Sequence, residues 1–181
     1  MTKLTFIIAF GLASFTLINK NTFIKYDETK KEACEISYNK IRKLNWGDFK
    51  LVGKTGRIAA LSNTGFSYET VRIDGKLSVY INCVFNKKGS FVVDGNMNQQ
   101  ILNHEQRHFD ITYLYTCKFI ERLNNEQALD ESKIDLIYND IIIEWGNYQK
   151  RYDGCIRNPI QDCDKQKEWD IKIDTELSKY N

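Results

Sequence analysis

Two histidines four residues apart, with a glutamate directly after the first, constrain this chain more than any other feature. His104-Glu105-Gln106-Arg107-His108 reads H-E-x-x-H, and no other histidine occurs in the 181 residues. On a helix this spacing sets both imidazoles on one face, one turn apart, where they can share a metal ion. Zinc accepts imidazole nitrogen and keeps an open coordination position when it serves catalysis. Glu105 then lies beside the metal, where a carboxylate can take a proton from water. The flanking pattern is helical, with Ile101, Leu102, Phe109, Leu114, Tyr115, Phe119 and Leu123 at intervals of three and four.

The chain is long enough for one domain with a substantial core. Its composition is globular, 42% hydrophobic and 28% charged, with a net charge of +2. It has no basic stripe and no Gly/Arg-rich tract, so nothing points to nucleic acid as a partner. Met1-Thr2-Lys3 followed by the uncharged, mostly apolar run Leu4 to Ile18 has the form of a signal peptide. Residues 1–20 are therefore expected to be a signal peptide or, failing cleavage, an N-terminal anchor, with 21–181 as a single exported domain, secreted or periplasmic. Beyond such an anchor no membrane association is expected. In an oxidising compartment the five cysteines read as structural. Cys155–Cys163 is the first expected bridge and Cys34–Cys83 a weaker one, with Cys117, mid-helix, as the free thiol.

The first half alternates with period two. Leu77, Val79, Ile81, Cys83 and Phe85 interleave with Ser78, Tyr80, Asn82 and Val84. Asp74-Gly75 marks a hairpin, and Asn86-Lys87-Lys88-Gly89 a second turn before Phe91-Val93. Residues 19–31 read as a polar lead-in. The second half is helical: one helix from about Asn96–Asn98 to Leu123, a second capped by Asp130, and a third from about Asp164. The expected fold is α+β, a small, mostly antiparallel sheet followed by three helices, zincin-like, with H-E-x-x-H on the first long helix.

A catalytic zinc site needs a third protein ligand, and no histidine remains. Asp110 points off the metal face. Leu114 and Ile111 stand where an extended H-E-x-x-H-x-x-G-x-x-H motif requires histidine and glycine. Glu126, Asp130 and Glu131 lie in the polar connection after the first helix. Glu144 lies on the second helix, and Asp153 ends it beside Tyr152, where an antiparallel return would approach His104.

The chain resembles an uncharacterised bacterial family, domain-of-unknown-function family 922, described as predicted secreted zinc-dependent proteases. The resemblance rests on Arg42-Lys43-Leu44-Asn45-Trp46-Gly47-Asp48-Phe49, Ala59-Ala60 with Thr64-Gly65, and Leu102 through Ile111 around H-E-x-x-H. It continues in Tyr152-Asp153 and Gln166-Lys167-Glu168-Trp169. In the family Tyr-Asp usually precedes x-Glu-Thr, whereas here Gly154-Cys155-Ile156-Arg157-Asn158 follows. The resemblance implies a zinc metallopeptidase acting on a peptide or protein substrate. His104, His108 and Asp153 would be metal ligands, Glu105 the general base, and Tyr152 a donor to the oxyanion. The lost Glu-Thr supports the alternative of a weak or inactive exported binding protein on the same scaffold.

Overall fold

The computed structural model describes residues 22–29, 31–53 and 58–180. The expected signal peptide and the first residue of the expected domain lie outside the described residues.

The order of elements is β1 (Thr22–Tyr26), β2 (Glu35–Ser37), β3 (Lys50–Val52), β4 (Ala60–Leu61), β5 (Thr64–Ile73), β6 (Lys76–Asn86), β7 (Phe91–Val93), α1 (Gln99–Asn125), α2 (Glu131–Cys155) and α3 (Cys163–Leu177). Short 3-10 turns sit at Trp46–Asp48 and Ser178–Tyr180. This is an α+β, zincin-like arrangement: strands first, three helices after, and the two histidines on the first long helix.

β6 organises the larger sheet. Leu77, Val79, Ile81, Cys83 and Phe85 are buried on its inner face, as their alternation requires. β5 runs antiparallel along one edge from Thr64↔Phe85 to Ile73↔Lys76. Asp74 (φ 50°) and Gly75 (φ 75°) close this hairpin, both in the left-handed region that such tight turns demand. β1 and β2 share the other edge, β1 parallel and β2 antiparallel. A second, three-stranded sheet has the order β3-β7-β4, with β3 parallel and β4 antiparallel to β7.

The sheets are mostly antiparallel, as expected, but mixed: among the described residues β1 with β6 and β3 with β7 pair in parallel. The expected polar lead-in contains β1, whose partner lies some fifty residues further on. A parallel pairing of that span leaves no local turn signal.

α1 packs across the sheets and against both other helices. Ile111, Leu114, Phe119 and Leu123 are buried on its core face. Asn98 caps it by accepting from Ile101 N–H (2.9 Å). Asp130 caps α2 by accepting from Lys133 N–H (2.8 Å). The Leu44–Phe49 segment is pinned to α1 where Leu44 N–H donates to Gln106 Oε1 (2.8 Å). Trp46 packs on Phe49 and the core.

The expected disulfides are absent: all five cysteines are free thiols. Cys83 is fully buried on the inner face of β6 while Cys34 is only half-buried. Cys155 closes α2 and Cys163 opens α3, both exposed. Between them the chain is held by the burial of Ile156 and by a turn around Asp162. Cys117 is a buried free thiol, as its mid-helix position suggests.

Candidate metal centre

α1 supplies His104, Glu105 and His108, and the last turn of α2 supplies Asp153. His104 Nε2 and His108 Nε2 stand 3.3 Å apart. Asp153 Oδ1 lies 2.9 Å from His108 Nε2 and 3.4 Å from His104 Nε2. These are the only three His, Cys, Asp or Glu side chains among the described residues whose ligand atoms cluster so closely. The antiparallel packing of α2 on α1 brings the third group to the pair.

The remaining ring nitrogens explain why both Nε2 atoms face one point. His104 Nδ1 meets Gln166 Oε1 at 3.1 Å, and His108 Nδ1 meets Gln149 Oε1 at 2.7 Å. Each glutamine is oriented by a partner that can only accept. Gln166 Nε2 donates to Asp170 Oδ1 (2.7 Å), and Gln149 Nε2 donates to the His108 carbonyl (3.0 Å). The amide oxygens are therefore turned to the imidazoles, and each Nδ1 carries the proton. Two Nε2 lone pairs then face each other and a carboxylate. Such a donor set is satisfied by a cation or by a shared proton.

The protonation of the metal-free cluster follows from this. Burial works against charge on His108, but the hydrogen bond and charge of Asp153, with Glu105 nearby, outweigh it and raise its pKa. Burial also raises Asp153, yet hydrogen bonds to both imidazoles hold it well below the usual carboxylate range.

Glu105 is buried, 4% exposed, and its Oε2 has no hydrogen-bond partner among the described residues. A buried carboxylate oxygen in that condition is costly. It sits in the same cleft as the cluster, where a water or substrate group can satisfy it. Its backbone carbonyl accepts from Ser62 Oγ (3.1 Å), tying α1 to the residues after β4.

Tyr152 is fully buried and stacks on His104, with ring centroids 4.7 Å apart and planes 17° from parallel. Its hydroxyl lies 3.0 Å from Gln166 Oε1 and 3.4 Å from the His104 carbonyl. Burial pushes the phenol pKa up, so it is a neutral donor. Arg107 completes the surroundings by pairing with Asp170 (3.0 Å) and Asp174 (2.5 Å), which locks α3 to α1.

The other acidic candidates lie elsewhere. Glu144 accepts from Arg122, Glu131 pairs with Arg72, Glu126 with Lys133, and Asp130 caps its helix. Asp110 is bound by Tyr38, Gln106 and Arg107. Gln149 and Gln166 were not singled out as site residues by the sequence. Signals existed for both: Gln149 precedes Asp153 by one helical turn, and Gln166 opens the last segment that carries the family resemblance.

The cluster opens into a cleft of about 860 Å³. One wall is the run from Ile58 through β4 to Thr64. The other is the connection from Asp153 to Ile160, with Trp145 and Gln149 at the side. No protein-family profile, curated protein or solved structure matches this chain.

The donor set fits a divalent metal ion: two imidazole nitrogens, one carboxylate oxygen, ordered outer partners and a solvent-facing side at the exposed Asp153.

Proposed function

We propose that this chain is an exported, zinc-dependent metallopeptidase, a distant member of the family it resembles. The convergence of His104 Nε2, His108 Nε2 and Asp153 Oδ1 beside the unpartnered Oε2 of Glu105 carries the reading. His104, His108 and Asp153 would hold the metal. Zinc, when bound, supplies Lewis acidity that acidifies water and polarises a carbonyl.

Glu105 accepts the proton of the attacking water and later delivers it to the leaving amine. Gln149 and Gln166 fix the imidazoles. Tyr152, expected from the resemblance to stabilise an oxyanion, is assigned a positioning role instead: its hydroxyl is directed to Gln166 and the His104 carbonyl.

A peptide substrate agrees with the edge of the second sheet. Val93 N–H donates to the Ala59 carbonyl (2.8 Å), and Ala60 pairs with Val92. Bonded pairs alternate in an antiparallel ladder, so the Ala60 N–H and C=O point away from β7. β4 is the last strand of its sheet and lines the cleft. An extended peptide can add to such an edge.

The test is zinc content together with peptide hydrolysis by the wild type and Glu105→Gln. Near-stoichiometric zinc with hydrolysis only in the wild type supports the reading. Absence of zinc after reconstitution overturns it.

A further inference from the structure

We propose that Arg157 is the substrate-selecting residue of the cleft and that it binds a substrate carboxylate; this rests on the peptidase reading above.

Among the described residues lining the cleft, Arg157 is the only lysine or arginine, against two carboxylates, Glu105 and Asp153. The rest of the wall near it is apolar or neutral, with Ile156, Asn158, Pro159 and Ile160 on its own segment and Ile58 and Leu61 on the facing one. Among the described residues four other guanidiniums pair with a carboxylate, while that of Arg151 lies over the Tyr148 ring, 5.3 Å from its centroid. Arg42 pairs with Asp48, Arg72 with Glu131, Arg107 with Asp170 and Arg122 with Glu144. Arg157 has no such partner among the described residues. The next acidic side chain after it in the chain, Asp162, is already occupied. Its Oδ2 accepts from the backbone N–H groups of Arg157 (3.1 Å) and Asn158 (3.2 Å), and its Oδ1 faces Lys165 (3.3 Å).

Those backbone bonds also hold the position. Ile156, 2% exposed, is buried in the core immediately before Arg157. Its N–H donates to the Tyr152 carbonyl (3.1 Å). Arg157 is thus presented from a segment anchored on both sides, only four residues after the ligand Asp153. With a divalent metal balancing Glu105 and Asp153, Arg157 would leave the described lining of the cleft formally cationic. A planar fork of N–H donors in a largely apolar wall selects carboxylate over its neutral amide analogue. That carboxylate can be an acidic side chain or a free peptide C-terminus.

The experiment uses the zinc-loaded full chain and fluorescein-labelled peptides of one sequence. They carry Glu or Gln at each position, with free or amidated C-termini. Binding is read by anisotropy with Glu105→Gln protein, which removes turnover, and kcat/KM is read with otherwise unaltered protein. The expected result is a preference of about tenfold or more for the carboxylate peptide over its amide twin. Salt should narrow the preference. Arg157→Gln should abolish it, and Arg157→Glu should turn it towards lysine-containing peptides. Loss on side-chain replacement identifies an acidic residue as the ligand, and loss on amidation a C-terminus. No preference in the unaltered protein, or one that survives in Arg157→Gln, overturns the proposal. Preferential binding without hydrolysis by any form would overturn the peptidase reading alone, and hydrolysis without preference would overturn Arg157 alone.

Discussion

Asp153 Oδ1 stands 2.9 Å from His108 Nε2, although one lies in the last turn of α2 and the other near the start of α1. Without a metal this contact is an ion pair; with a divalent metal bound the same two atoms would become co-ligands. Replacing Asp153 by Asn keeps the shape and removes the charge. Zinc affinity should fall by more than the roughly 10–100-fold typical of outer-sphere changes. Competition with a chromophoric chelator measures it.

Glu105→Gln should lower kcat by about 10²–10⁴-fold, the usual contribution of a positioned general base. Zinc content should stay near that of the wild type, because Glu105 is not among the clustered ligand atoms. Parallel metal analysis and single-turnover hydrolysis separate the two effects.

Gln149→Leu and Gln166→Leu remove the acceptors of the two Nδ1 protons. Each should weaken zinc binding by about 10–100-fold without deleting a ligand. Tyr152→Phe keeps the ring stacked on His104 and removes only its hydroxyl, so it should lower zinc affinity through Gln166. A variant that left affinity unchanged but cut kcat would restore an oxyanion role to Tyr152.

Stability should depend on pH in opposite senses with and without metal. The folded His108 pKa lies above its unfolded value of about 6.5, so the folded state binds more protons just above that pH. Its contribution is complete below about 6.5 and is lost as pH rises through the folded value. The folded Asp153 pKa is depressed, so its contribution is present above about 3.9 and is lost as pH falls through the folded value. Metal-free protein should therefore be most stable between about pH 4 and 6.5. Zinc requires neutral imidazoles, so loaded protein should gain stability as pH rises across that upper bound. Thermal unfolding from pH 4 to 8, with zinc and with chelator, shows whether the two curves diverge.

What the sequence disclosed follows the range of each interaction. Caps act over three residues, so Asn98 and Asp130 mark their helices well. The Asp74-Gly75 hairpin and the inward alternation of β6 are equally local. The expected approach of Asp153 to His104 required only two antiparallel helices of similar length. β1 was missed because its strand is polar in part and its partner is remote. The disulfides were misread because cysteine spacing carries no direction: the alternation that buries Cys83 also aims it at the core, where it is a packing residue. Gln149 and Gln166 were passed over because a helical-turn spacing or a shared segment does not by itself mark a glutamine that turns an imidazole.

The fastening of the cluster across three helices has a consequence in time. Gln166 follows His104 by 62 residues in the chain, and Asp153 also follows both histidines. A growing or truncated chain that ends before α3 holds the pentapeptide, Gln149 and Asp153 but lacks Gln166, the group that aims His104. The cluster is therefore fully oriented only once the C-terminal helix has docked on α1.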